Sequence, residues 1–224
     1  MVHVKSEKEI DLMRAPCTIV RDCLSFVGER IRPGMTTGEV DKLVYDFIKA
    51  SGAEPSCLGY GGFPASACVS VNEVVVHGIP DDRVLEEGDI VSVDLCAYKN
   101  GFHGDGARTF AVGEISPEKK KLIRVTEECF FKALEGLRAG TPLFDIGYRV
   151  QTHAESNGFS VIRSYTGHGI GREMHEDPSV YNFGRRGTGM RLKAGTVICI
   201  EPMIAMGDWR VNVLDDGWTA VMAD

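Results

Sequence analysis

The sequence predicts an α+β fold in which antiparallel strands are covered by helices on one face, built as two similar halves within residues 1–224. Three observations carry this expectation: amphipathic helical stripes that come in pairs, β-branched runs between and after the pairs, and a turn-and-terminator pattern that repeats. The 224 residues, 43% of them hydrophobic, can bury a substantial core.

Ile10, Met13, Cys17, Val20, Leu24 and Val27 recur at helical spacing, with Pro16 expected to kink this first helix or to mark its effective start. Thr36-Thr37-Gly38-Glu39 has the form of a capping box and opens a second helix, carrying Val40, Leu43, Val44 and Phe47 to a stop at Ser51-Gly52. Ser116-Pro117-Glu118 opens a third helix, expected to run to Leu137, and Thr141-Pro142 a fourth that ends near Asn157-Gly158. Strands are expected over Cys68 to Val76, Asp89 to Leu95, Ser160 to Ser164 and Thr196 to Glu201. Ile31-Arg32-Pro33-Gly34 resembles Leu137-Arg138-Ala139-Gly140, and Ser51-Gly52 stands at the same offset from Asn157-Gly158. Turns of this kind before helices are common, so chance competes with internal duplication; the shared register of turns and terminators favours duplication.

A formal charge of -7 and the lack of clustered Lys and Arg exclude a nucleic-acid face. The longest basic run, Lys119 to Lys121, falls at a helix start and reads as a solvated surface. No segment approaches the roughly 18 uninterrupted apolar residues of a membrane span, and the first residues lack a signal peptide's apolar stretch, so a cytoplasmic protein without a membrane partner is expected. Seven cysteines, with no C-x-x-C pair, argue against a disulfide scaffold or a structural zinc ribbon.

The chemistry concentrates on four residues. Asn100-Gly101 between alternating runs is a two-residue hairpin turn, which pairs Lys99 with Phe102 and sets Cys96 opposite Asp105. Asp94 and Asp105 then share one sheet face as diagonal neighbours, ~7–8 Å apart at the backbone. Two carboxylates so close on a buried face need a counter-charge, which a divalent cation supplies; for an isolated pair, a solvent-facing position is the competing reading. Thr166-Gly167-His168-Gly169-Ile170-Gly171 is a glycine-dense loop around one His, open to a ligand or to a plain turn. Glu201 closes the apolar run Val197 to Ile200, where an unpaired carboxylate is rare. One His, one Glu and two Asp without thiolate suit Mn, Fe, Co or Zn. Two ions ~3.5–4 Å apart would activate a water and polarise a carbonyl, and a single-ion site is the alternative.

Cys57-Leu58-Gly59-Tyr60, the run Val71-Asn72-Glu73-Val74-Val75-Val76-His77-Gly78-Ile79-Pro80, the Asp94 to Asp105 hairpin, the Gly167 to His175 loop and Ile200-Glu201-Pro202-Met203 together resemble the type I methionine aminopeptidases. The likeness runs from Ser6 to Asp224 in unbroken motif order. It implies the pita-bread fold in one catalytic domain spanning 1–224, with up to two divalent ions (Co, Mn, Fe or Zn) held by Asp94, Asp105, His168 and Glu201. By the same resemblance His77 and His175 meet substrate or the tetrahedral intermediate, and Cys57, Tyr60, Phe63, Cys68, Met174 and Trp218 surround a methionine side chain. The implied substrates are nascent polypeptide N-termini with a small second residue, met by a monomer with the ribosome as a partner. Gly61, Gly106-Ala107, Cys96 and Met174 depart from the family's usual His, Thr-Ser, Thr and Phe. A fifth family ligand, a Glu in a strand shortly after Asp216-Gly217-Trp218-Thr219, has no match up to Asp224, so the resemblance implies a domain truncated before its last strand, either a fragment or an impaired protein, with weak or no activity and a tendency to self-associate. Two other readings share the fold: a prolidase, aminopeptidase P or creatinase relative, and a catalytically impaired peptide-binding protein.

Overall fold

The computed structural model describes all residues from Met1 to Asp224. Helix α1 (Glu7–Gly28) starts well before Pro16, because Ser6 and Glu9 cap it reciprocally: the Ser6 hydroxyl accepts the Glu9 N–H, and the Glu9 carboxylate accepts the Ser6 N–H at 3.0 Å. Pro16 is therefore not the start but a buried interior residue. A Cβ added to Gly104 would lie 2.5 Å from the Cys17 nitrogen, so strand and helix backbones touch at this point, and that packing offsets the hydrogen bond the proline cannot make. Cys17 faces out and Cys23 takes its place on the buried stripe. Helix α2 (Thr37–Ala50) opens on the expected Thr36 and Glu39 box.

Strands β1 (Glu54–Pro55), β2 (Ala67–Val71), β3 (Val74–Val76), β4 (Ile90–Lys99) and β5 (Phe102–Ala111) follow. The single run expected over Cys68 to Val76 is two strands in different sheets. The break falls at Asn72, whose φ of 52° is held by its own side chain: Nδ2 donates to Asp89 at 2.6 Å and Oδ1 accepts the Ile90 N–H at 3.1 Å. β4 is the centre of a sheet that takes β1 and β2 along one edge and β5 along the other. The β4–β5 register is the expected one, with Lys99 opposite Phe102 and Cys96 opposite Asp105. Asn100 and Gly101, at φ 57° and 84°, form the left-handed turn that such a hairpin requires.

Helix α3 (Pro117–Leu134) is capped by Ser116 and stops short of Leu137, because Gly136 turns the chain at φ 66°. Helix α4 (Phe144–Ser156) begins after Thr141-Pro142; Thr141 Oγ1 instead accepts the Arg138 N–H, and Pro142 bridges Arg191 in extended form. Short strands complete the chain: β6 (Ser160–Val161), β7 (Gly167–Gly169), β8 (Glu176–Val180), β9 (Ile204–Ala205), β10 (Val211–Val213) and β11 (Ala220–Met222). β6 pairs with β9, β7 with β8, and β11 joins β10 to β3. The strand expected over Thr196 to Glu201 does not form as a regular element. It touches β7 through Cys199 N–H to His168 O at 2.7 Å and Ile170 N–H to Val197 O at 3.3 Å, and its residues are half-buried.

The repeat read from the sequence reappears in the backbone. Gly34 donates to Leu85 O at 2.8 Å and Leu85 returns a bond to Met35 O at 2.7 Å; Gly140 and Leu192 do the same at 2.8 Å and at 2.9 Å to Thr141 O. Gly34 and Gly140 share φ 89°. The two halves thus repeat one backbone turn ahead of α2 and α4, although only α2 adds a side-chain cap. α1 lies along the β4–β5 hairpin and α3 packs on α4. No helix is long and apolar enough to cross a membrane.

Candidate active site

A cavity of about 310 Å³ opens between the halves, and every residue that the resemblance implied for the site lines it. Asp94 and Asp105 come from the central hairpin, His168 from β7, Glu201 from the segment beyond it, and His77 from the end of β3. Cys57, Phe63, Cys68, Cys96 and Met174 form one buried apolar cluster against which Trp218 packs. A larger open cleft of about 610 Å³ between α1, β5 and α3 gathers mixed surface charges and lies apart from this chemistry.

Local structure fixes each group. His77 sits at φ 57°, a strained position for a residue with a Cβ, and Gly78 locks it there: a Cβ on Gly78 would lie 2.5 Å from Val69 O. The His77 ring stands edge-on to Tyr165, 5.2 Å between centroids. His175 is tied to Tyr60 by a 2.7 Å bond at Nδ1 and lies 4.2 Å, ring to ring, from His168. The loop bearing His175 is anchored by the next residue, Glu176, whose carboxylate meets Lys5 Nζ at 2.6 Å with the lysine side chain only 1% exposed. The Glu201 carbonyl accepts a 2.6 Å bond from Asn182, which is wholly buried. Tyr165, Met203 and Asn182 were not singled out from the sequence. Tyr165 adjoins the glycine-dense loop, which could have flagged it; Asn182 has no local signal, since its role depends on a residue nineteen positions away.

Burial and crowding set the charges. Burial, with Asp105 and Glu201 close by, drives the Asp94 carboxyl well above its usual range. Burial and the Asp105 charge push Glu201 up to about 7. Burial lowers His77, and burial with the nearby His168 lowers His175, so both rings favour the neutral form. For His168 burial acts downward, but hydrogen bonding to Asp105 and the Glu201 charge outweigh it and the net shift is upward.

These side chains fit a divalent cation. His168 Nδ1 is 2.8 Å from the Gly169 carbonyl, which can only accept, so Nδ1 carries a proton, and in the neutral ring the Nε2 lone pair points at Asp105 at 3.5 Å and Glu201 at 3.2 Å. A lone pair facing two carboxylates is repulsive until a cation or proton lies between them. Glu201 Oε1 is likewise cut off from solvent with no hydrogen-bond partner.

A central antiparallel hairpin presenting two carboxylates to a His and a Glu, beside an apolar cavity, defines a metallopeptidase of the pita-bread class. Residues 11–222 match the model for "Metallopeptidase family M24". A methionine aminopeptidase of Clostridium perfringens is 54% identical over the whole of this chain and 90% of its own length. The crystal structure of methionine aminopeptidase from Thermotoga maritima superposes with a TM-score of 0.98 at 46% identity, covering 100% of this chain and 90% of that one. The prolidase from Pyrococcus furiosus gives 0.77 at 26% identity, covering 89% of this chain and 57% of its own. The chain belongs to metallopeptidase family M24 and groups within it with the methionine aminopeptidases.

Proposed function

We propose that this protein is a metal-dependent aminopeptidase, one catalytic domain over residues 1–224, that removes the N-terminal methionine from nascent chains whose second residue is small. The observation that carries the reading is the sulfur-rich apolar wall of Cys57, Cys68, Cys96 and Met174 directly beside the carboxylate and histidine cluster, a chemistry suited to a thioether side chain. Asp94, Asp105, His168 and Glu201 hold one or two divalent ions of the Mn, Fe, Co or Zn class, which, when bound, polarise the scissile carbonyl and make water a nucleophile near neutral pH.

The chain's own groups do the rest. Glu201, whose Oε1 is buried at the cluster without a hydrogen-bond partner, is placed to take a proton from the attacking water and return it to the leaving amine. With the Tyr60 hydroxyl donating to His175 Nδ1 at 2.7 Å, the ring proton sits on Nε2, which donates to the oxygen that gains charge. His77 is held neutral by burial and offers a second such donor. Phe63 and Trp218, edge to face at 5.2 Å, close the side-chain pocket. The protein works in the cytoplasm as a monomer, at the ribosome where new N-termini emerge, in keeping with seven free cysteines.

Release of Met from Met-Ala-Ser, Met-Leu-Ser and X-Pro peptides tests the reading. Whatever the absolute rate, release from Met-Ala-Ser is expected to exceed release from Met-Leu-Ser. Preference for the X-Pro bond would transfer the protein to the prolidase branch, and binding without turnover in metal-replete buffer would make it a peptide-binding member of the fold.

A further inference from the structure

Cys199 stands next to the ligand cluster, and neither the reaction above nor the family resemblance gives it a task. Its Sγ, a nitrogen of His168 and a carboxylate oxygen of Asp105 all lie within 4.8 Å of one another, and no other trio of acidic, thiol or imidazole groups in the chain converges so closely. The His168 and Asp105 side chains are each 10% exposed, and an Asp105 carboxylate oxygen lies 3.5 Å from His168 Nε2. A buried carboxylate oxygen, an imidazole nitrogen and a free thiol therefore lie close enough together to share one ion. Cys199 does not line the substrate cavity; it packs behind the cluster with Met13, Phe102 and Ile170, which holds its side chain in place when substrate enters.

We propose that Cys199 Sγ is a direct ligand, together with Asp105 and His168, to a divalent ion, so that the donor set contains sulfur as well as nitrogen and oxygen. The inference rests on the metal-site reading above. On binding, the thiol proton leaves to solvent and the ion meets a thiolate, with no change of oxidation state. A thiolate donor favours borderline ions such as Zn²⁺ and Co²⁺ over Mn²⁺, whose preferred partners are oxygen ligands.

Absorption spectroscopy of the metal-free protein titrated with Co²⁺ tests this without reference to activity. The wild type should show a sulfur-to-cobalt charge-transfer band in the near ultraviolet along with the visible d–d bands. Cys199→Ser should lose the former and keep the latter, and its preference for Zn²⁺ over Mn²⁺ should fall by roughly 10- to 100-fold. Cys17→Ser should leave both sets of bands in place. Visible bands without a charge-transfer band in the wild type would overturn the sulfur ligand while leaving the metal site standing; no visible bands would remove both. A charge-transfer band that survives Cys199→Ser and vanishes with Cys96→Ser would move the thiolate to the central hairpin and equally overturn the proposal. Should the serine variant not fold, alkylation of the wild type followed by peptide mapping decides: Zn²⁺ should protect Cys199 from iodoacetamide, and equal labelling with and without the ion would defeat the assignment.

Discussion

The two halves of the molecule repeat one backbone turn but hold their parts of the site in different ways. In the first half, Asp94 and Asp105 ride on a hairpin paired without a break from Ile90–Ala111 to Lys99–Phe102, backed by a core cluster of 19 buried residues. In the second, His168 lies on a three-residue strand and Glu201 on a segment without regular pairing, over a cluster of 11 buried residues. What positions the second pair is close backbone contact: a Cβ on Gly167 would come 2.3 Å from Cys199 O, and one on Gly169 2.1 Å from Asp177 O. One arm of the site is thus built by a local ladder, the other by glycine-mediated packing of distant segments. The second arm should yield first under mutation.

The largest effect is expected from the hairpin's own chemistry. Asp105→Asn keeps shape and removes a ligand charge, so loss of several kcal/mol of transition-state stabilisation should lower kcat/KM by about a thousandfold or more with the circular dichroism spectrum unchanged. A near-normal rate in metal-replete buffer would remove Asp105 from the ligand set. Leu95→Ala, at a wholly buried position on β4, should cost about 2–5 kcal/mol of stability in urea unfolding, with Ile146→Ala in the smaller core as its counterpart. If the two cores were equally firm, native-state hydrogen exchange would protect β4 and α4 alike; faster exchange in α4 is expected.

Gly169→Ala should cost about 1–3 kcal/mol through overpacking against Asp177 and, unlike Leu95→Ala, should also weaken metal binding in calorimetry, because it displaces His168. A stability loss with unchanged metal affinity would show that the second arm is not held by that contact. Acidity gives a further contrast. Glu201 is raised from 4.5 to about 7 in the folded metal-free protein, so between those values the native state holds a proton that the unfolded chain has released. Metal-free stability should therefore fall as pH rises through that window, and the stabilisation added by a divalent ion, which displaces the proton, should grow. Melting temperatures at pH 5.5 and 7.5 with and without ion test the sign. The smallest effect is expected at the turn: Gly101→Ala, at φ 84°, should cost about 1–2 kcal/mol and leave the metal site intact.

What could be read from the sequence follows the same division. Counting outward from Asn100-Gly101 was enough to place Cys96 opposite Asp105, because a two-residue turn fixes register locally. The Thr36 and Glu39 cap was equally local. The strand expected over Thr196 to Glu201 was not, since its apolar run speaks of burial and only neighbouring segments decide whether a ladder forms. Pro16 is a different case: the start of α1 is set by the Ser6 and Glu9 capping box, a local signal, and not by the proline. Asn72 broke a run of β-formers through bonds to Asp89 and Ile90 that no propensity encodes. Asp94, Asp105, His168 and Glu201 were legible as one candidate ligand set from residue type and strand position, whereas Cys57, Tyr60, Phe63, Cys68, Met174 and Trp218 required the family resemblance, because taken alone they read as ordinary core or loop residues.

The buried pair of Lys5 and Glu176 spans 171 residues, and that separation sets an order of assembly. A hairpin such as Asn100-Gly101's closes in ~1–10 μs once its residues are free. Lys5, by contrast, must wait for Glu176 before the loop bearing His175 can be pinned. At a synthesis rate of ~5–20 residues per second, the roughly one hundred residues between Asp105 and Glu201 take about 5–20 s to emerge. Through that interval the carboxylate pair exists without its His and Glu partners, so a selective metal centre is a late product of folding, and the ion can be acquired with its full donor set only after Glu201 has emerged.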